Sequence, residues 1–357
     1  MLLTATKNVP GKRDASVREK TPKATMLSVR TRQGFNWDTV IVTRRLACLG
    51  LVACGGGAAL SRLATPLQAG EIPAAKVAEI ADGVFVHRGQ IALQSPANHA
   101  DISNAGFVVG TDAVAVIDTG GSYHAGAALR AAVAKHTKAP IRYVINTHMH
   151  PDHVLGNAAF KADKPRFIAH HKMKRALSAR TARYLEAAEN ALGDEAFEGT
   201  EVVLPDAGVE DVDTLDLGGR TLRLAAQPTA HTDNDLVITD QKTGTAFVGD
   251  LIFSGHVPAL DGSIVGWIEV LEKLGHQAPA LIVPGHGPAA LSWAAGSEPV
   301  QRYLRAVAHD VRAIIKRGGT ISEAIETAGI SEASGWELFD EFHKRNVTAA
   351  FAELEWE

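Results

Sequence analysis

An apolar run, Ile141-Arg142-Tyr143-Val144-Ile145, leads straight into Asn146-Thr147-His148-Met149-His150-Pro151-Asp152-His153. A β-branched run of this length reads as a strand. Four ionisable side chains within the next eight residues must then lie at the end of that strand, where a sheet edge can present them together. The pattern is His-x-His-x-Asp-His. Alternate residues of an extended segment point the same way, so His148 and His150 can share one metal ion. Pro151 suits the first position of a helix, and past that bend Asp152 and His153 can face a second ion.

Three further apolar runs end in a residue of the same type. Leu222 to Ala226 leads to His231, Ala246-Phe247-Val248 to Gly249-Asp250, and Leu281-Ile282-Val283 to Pro284-Gly285-His286. Any one of these histidines alone reads as a surface or core residue. As an ordered set at strand ends they read as a rigid metal cradle. The chain has two cysteines, Cys48 and Cys54, both in the N-terminal stretch. The remainder therefore has no thiol nucleophile, iron–sulfur cluster or thiolate zinc site. Imidazole and carboxylate donors suit zinc, and iron or manganese fits them too.

Short β-branched runs recur around the cluster: Val84 to His87, Gly106 to Gly110, Ala113 to Ile117 and Leu236 to Thr239. The third is closed by the turn Asp118-Thr119-Gly120-Gly121. Residues 124–138, 171–198 and 299–357 read mainly as helices. Strands early and late, with helices between and after, predict a layered α/β architecture. His170-His171 reads as a solvated helix start rather than a third metal site.

Residues 1–69 are different. They hold 11 Lys and Arg against 3 Asp and Glu, and Arg44-Arg45 precedes an apolar run from Leu46 to Leu60. That run is too short for a stable membrane span. A basic region, a short apolar run and small residues make an export signal of twin-arginine type, cut after Ala69. The alternatives are lipoprotein processing at Cys54 and an apolar helix packed on the domain. The expected organisation is a signal and pre-region over 1–69, a catalytic domain over 70–297, and a helical extension over 298–357. The extension is expected to be a cover for the domain or a homodimer surface. Without residues 1–69 the chain keeps 25 basic and 37 acidic residues. That acidic balance argues against nucleic acid as a partner and leaves a small-molecule substrate.

The motifs Asn146 to His153, Ala230 to Asp235, Val248 to Asp250 and Pro284 to Gly287, in this order, resemble the metallo-β-lactamase-fold superfamily over residues 80–295. The resemblance implies an α/β fold of the αββα sandwich type, two packed mixed sheets with outer helices. It implies two Zn2+ ions per chain, with His148, His150 and His231 on the first and Asp152, His153 and His286 on the second. Asp250 bridges them, Asp118 supports the ligands, and Asp152 and Asp250 are the candidate catalytic carboxylates. A water shared by two such ions becomes a hydroxide near neutral pH and attacks an acyl centre.

Aspartate at 250 resembles thioesterases of glyoxalase-II type, where β-lactamases of this fold have Cys or Ser. The lysine that many β-lactamases use has no counterpart in Ile252, Phe253 or Ser254. His150 stands where the diiron oxygen-reducing branch has Glu. Ser95 to Gly110 and His256 to Ile268, together with the export signal, are similar to the quinoprotein relay system zinc metallohydrolases. His99, Asn104, His256 and Trp267 in those stretches are the candidate substrate contacts, and Trp267 reads equally well as core. The expected function is hydrolysis of a small ester, thioester or lactone-like substrate, linked to a periplasmic quinoprotein dehydrogenase system. The rival readings are a β-lactamase-like hydrolase, a non-hydrolytic metal-binding accessory of a periplasmic redox system, and a sulfur dioxygenase.

Overall fold

Two β-sheets pack face to face, with helices on both outer faces, in a computed structural model that describes residues 72–357. The expected export signal and Cys54 lie outside the described residues. The first sheet holds β1 (Val77–Ala81), β2 (Val84–His87), β3 (Ala105–Val109), β4 (Val114–Ile117), β5 (Ile141–Ile145), β6 (Arg166–His170) and β7 (Ala207–Val209) in that spatial order. Strands β1 to β4 are antiparallel and β4 to β7 parallel. The second sheet holds β8 (Val212–Asp216), β9 (Thr221–Ala226), β10 (Leu236–Asp240), β11 (Thr245–Phe253) and β12 (Leu281–His286), in the order β12-β11-β10-β9-β8. Its one parallel pair is β11 with β12.

The helices are α1 (Tyr123–His136), α2 (Pro151–Val154), α3 (Met173–Phe197), α4 (Ile264–Gly275), α5 (Trp293–Lys316), α6 (Ile321–Thr327) and α7 (Phe339–Leu354). Strand periodicity builds the layers. In β4, Ala115 and Ile117 face the second sheet, where they meet Leu222, Leu224, Ile238 and Phe247. Val114 and Val116 face the other way, onto Leu129 and Val133 of α1. A strand buried on both faces reads as a continuous apolar run rather than an alternating one, as Val-Ala-Val-Ile does.

The outer face of the second sheet is covered by α4, α5 and α7. Val237, Val248 and Ile252 pack there against Trp267, Val300, Leu304, Val307 and Val347. The division expected between residues 297 and 298 falls inside α5, and the described residues form one compact unit. The last helices are thus the fourth layer of the sandwich. Arg220, at the start of β9, ties the sheets: its guanidinium donates to Asp240 at 2.9 and 2.8 Å and to the Asp82 carbonyl at 2.7 Å. No helix among the described residues is long and apolar enough to cross a membrane.

Candidate metal centre

The site is assembled at strand ends. After β5 the backbone bends over Thr147, His148 and Met149, and His150, itself extended, is the N-cap of α2 with Pro151 at the first helical position. His231 lies in the turn between β9 and β10. Asp250 lies within β11, every residue of which is buried, and His286 is the last residue of β12. Gly249, at φ +51°, lies next to Asp250 where the pairing of β11 with β12 shifts register, a backbone conformation that favours glycine.

All seven residues expected to bind metal meet at one place. Donor atoms of His148, His150, His231 and Asp250 lie within 4.8 Å of one another, and so do those of Asp152, His153 and His286. In the first group His231 Nε2 is 3.0 Å from His150 Nδ1, and Asp250 Oδ2 is 3.7 Å from His148 Nε2 and 3.5 Å from His231 Nε2. In the second, Asp152 Oδ2 lies 3.4 Å from His153 Nε2 and 3.3 Å from His286 Nε2. Asp250 faces both, with Oδ1 3.1 Å from His153 Nε2 and Oδ2 3.4 Å from His286 Nε2. Four donors about 2.0–2.1 Å from a tetrahedral ion stand about 3.3 Å apart, the spacing seen here.

The opposite nitrogen of each imidazole is committed outward. His153 Nδ1 donates to Asp118 Oδ2 at 2.9 Å, His231 Nδ1 to the Ala259 carbonyl at 2.6 Å and His286 Nδ1 to the Ile102 carbonyl at 2.9 Å. His150 Nε2 meets Asp261 Oδ2 at 3.1 Å, and His148 Nδ1 meets Thr147 Oγ1 at 3.1 Å. Thr147 in turn donates its amide and its hydroxyl to Asp118 at 2.8 and 2.7 Å. Outward partners of this kind fix the tautomer of a metal-ligating histidine. The inward atoms His148 Nε2, His153 Nε2 and Asp250 Oδ1 are buried without a hydrogen-bond partner. Unpaired buried donors and acceptors are costly unless something else satisfies them, and a divalent cation fits this donor set.

Electrostatics follow from crowding five imidazoles around two carboxylates. Burial, then the neighbouring His153, holds His148 well below the ordinary imidazole range. Burial and His150 take His231 down to about 3. For His153 burial is outweighed by Asp250, Asp152 and Asp118, which raise it well above that range. His286 goes up to about 9, as Asp250 and Asp152 overcome its burial. Asp250 and Asp152 are both held low by the histidines, against burial. The cluster thus keeps its carboxylates ionised and stores protons on His153 and His286.

A cavity of about 370 Å3 opens over the cluster, lined in part by His150, Asp152, Asp250, His256 and His286. His256 is therefore where a substrate contact was expected. The other three candidates are not at the cavity. Trp267 is fully buried, donates Nε1–H to the Leu251 carbonyl at 3.0 Å and packs against the His231 ring. Asn104 Nδ2 donates to the Pro284 carbonyl at 2.9 Å and so anchors the β12 end. His99 stacks on His124 beneath the adjoining turn. An aromatic or amide in a loop looks the same in sequence whether it faces a cleft or the core. His170 corrects the reading of a solvated helix start: it is buried at the end of β6, and burial lowers it to about 4.

Several cavity residues had no sequence signal beyond helical spacing: Arg180, Arg183 and Tyr184 of α3, and Phe342 and Arg345 of α7. Burial pushes the Tyr184 hydroxyl up to about 12, so it stays a neutral hydrogen-bond donor at the cavity wall. Asp261, followed by Gly262 in the sequence, holds His150. The stretch before β3 also contributes by position: Ser103 Oγ donates to the Asp152 carbonyl at 2.5 Å, and Ile102 orients His286.

A family model described as the metallo-β-lactamase superfamily matches residues 100–286. No curated protein sequence matches the chain. Among solved structures, a metallo-β-lactamase from Pontibacter korlensis is 19% identical, with a TM-score of 0.51 over 64% of this chain and 98% of that one. TMB-1, whose structure addresses substrate and inhibitor binding, is 20% identical, with a TM-score of 0.50 over 66% of this chain and 98% of its own. At such identities the likeness is one of fold. The family match spans the strand ends that carry all seven clustered residues, and the chain belongs to the metallo-β-lactamase superfamily.

Proposed function

We propose that the protein is an exported binuclear zinc hydrolase acting on a small ester, thioester or lactone-like substrate beside a periplasmic quinoprotein dehydrogenase system. One observation carries the hydrolytic reading: five histidines, each fixed from outside, turn their free nitrogens onto two carboxylates at the floor of a cavity. Bound there, two divalent cations would supply a hydroxide near neutral pH and polarise the acyl oxygen. His148 Nε2, His150 Nδ1 and His231 Nε2 would hold one cation, Asp152, His153 and His286 the other, and Asp250, whose oxygens face both donor groups, would serve either. Asp152 and Asp250 are the catalytic carboxylates, Asp152 being the one with more of its surface open to the cavity. Phe253, Leu260 and Phe342 exclude water around the acyl group, and Tyr184 offers a hydroxyl. No cysteine or serine of the described residues lines the cavity, which suits direct attack by hydroxide.

Aspartate at 250 and the missing lysine after it favour esters and thioesters over β-lactams. The basic N-terminal stretch and its short apolar run support export, and Ser95 to Gly110 with His256 to Ile268 support the quinoprotein association. The test is metal content by mass spectrometry of protein beginning at Gly70, beside His150→Ala, followed by a panel of esters, thioesters, lactones and β-lactams. About two zinc ions, clear loss in the variant and turnover of an ester or thioester are expected. Full zinc content with no turnover would instead favour the accessory role, and bound iron with oxygen consumption the dioxygenase.

A further inference from the structure

We propose that the cavity selects acyl substrates bearing a second anionic group, a carboxylate, gripped by Arg180, Arg183 and Arg345. This inference rests on the hydrolase reading for the acyl part alone. The three arginines come from two helices far apart in sequence, α3 and α7, and all line the same cavity. Two of them, Arg180 and Arg345, share one carboxylate. Arg180 Nη2 lies 3.9 Å from Asp261 Oδ2 and Arg345 Nη2 lies 3.6 Å from Asp261 Oδ1, both beyond hydrogen-bond length. Asp261 Oδ2 is already engaged by His150 at 3.1 Å. Arg183 forms no ion pair among the described residues.

Around Asp261 the wall therefore carries three guanidinium groups against one carboxylate, on a chain that is acidic overall. Guanidinium groups suit carboxylates because their planar fork can bind both oxygens. Asp261 touches a histidine of the cluster on one side and two arginines on the other, so the arginines stand one carboxylate away from the donor set. A molecule with its acyl carbon over the cluster and an anion a few bonds away fits that span. Leu93, Leu260 and Phe342 line the same cavity and favour an apolar spacer. The substrate class is a half-ester or half-thioester of a short dicarboxylic acid. Asp261 then acts as a placeholder whose arginines exchange it for the incoming carboxylate.

The test needs no turnover. Binding of acetate, succinate, glutarate and inorganic phosphate to the zinc-loaded protein is measured by calorimetry, in the parent and in Arg183→Gln and Arg345→Gln. Both positions are exposed, so the fold is expected to survive, and thermal unfolding checks it. Glutarate or succinate should bind about tenfold or more tightly than acetate, and each variant should lose about that factor for the dicarboxylate while acetate is unchanged. Equal affinity for acetate and both dicarboxylates, or an unchanged preference in the variants, overturns the proposal. Phosphate binding more tightly than either dicarboxylate and weakening in the same variants also overturns it, in favour of a phosphorylated substrate. Hydrolysis of 4-nitrophenyl acetate and mono-4-nitrophenyl glutarate is a separate arm, in which the variants should raise KM for the glutarate ester alone. If the binding preference stands while neither these esters nor any member of the ester, thioester and lactone panel is cleaved, the hydrolase reading fails and the anion site remains.

Discussion

At the scale of single residues, the donor set leaves no room for adjustment. A Cβ on Gly285 would lie 1.8 Å from Asp250 Oδ1, so only glycine lets β12 pass beside the carboxylate that faces both donor groups. Gly285→Ala should push Asp250 out of place. The expected outcome is loss of most bound metal with the secondary structure kept, read by metal analysis and circular dichroism. Retention of two ions in a folded variant would contradict the geometry. The stored protons make a second prediction. With burial opposing it, His286 is raised by Asp250 and Asp152 to about 9, above the value of about 6.5 expected unfolded. Its contribution to the stability of metal-free protein is then fully present below about pH 6.5 and is lost as pH rises toward 9. Thermal unfolding of chelated protein should shift to lower temperature across that window, and a flat profile there would count against the charge arrangement. Cations must displace the same protons, so metal uptake should release protons and weaken as pH falls.

At the scale of elements, the loop from His256 to Ser263 matters more than its sequence shows. It supplies the carbonyl that fixes His231 and the carboxylate that fixes His150. The loop is itself held by α7: Asn346 Oδ1 accepts from the Leu260 amide at 2.9 Å, and its Nδ2 donates to the Pro258 carbonyl at 2.5 Å. Glu353 accepts from Ser263 Oγ at 2.6 Å and from the Ile264 amide at 2.8 Å, capping α4. Asn346→Ala should strand a buried amide and a buried carbonyl, costing about 1–3 kcal/mol in denaturant unfolding. It should also slow turnover, because Ala259 and Asp261 lose their anchor. A variant with parental stability and turnover would show that the loop holds its shape unaided. The stretch Ser95 to Gly110 plays the matching part on the other side, through Ile102, Ser103 and Asn104. Both stretches stood out in the sequence as walls of a substrate site. In the fold they brace metal-binding residues, and Ile102 of the first with His256, Ala259, Leu260 and Asp261 of the second also line the cavity.

At the scale of the whole molecule, the C-terminal helices are part of the sandwich. Ending the chain at residue 297 cuts α5 near its start and bares Val237, Val248 and Ile252, each contributing about 1.5–3 kcal/mol by its burial. A chain of residues 70–297 is therefore expected to aggregate or to give a broad, uncooperative melt, while residues 70–357 melt cooperatively. Cooperative folding of the shorter chain would restore the boundary drawn from the sequence. The sequence by itself determined the local features: β-branched runs as strands, and short polar residues beside glycine or proline at their ends. His148, His150, Asp152 and His153 were legible because they sit within six residues of one another. His231, Asp250 and His286 were legible because each follows its own apolar run in the sequence, and adjacent strands bring such positions to one edge, although Asp250 lies inside β11 and His286 is the last residue of β12. Only the tertiary structure decided what lies across from them. Arg180, Arg183 and Arg345 reach the cavity through the packing of α3 and α7, and helical periodicity says which residues share a face but not what that face meets. Trp267 and Asn104 went inward for the same reason: a side chain's surroundings depend on contacts distant in sequence, and those exist only once the layers have closed.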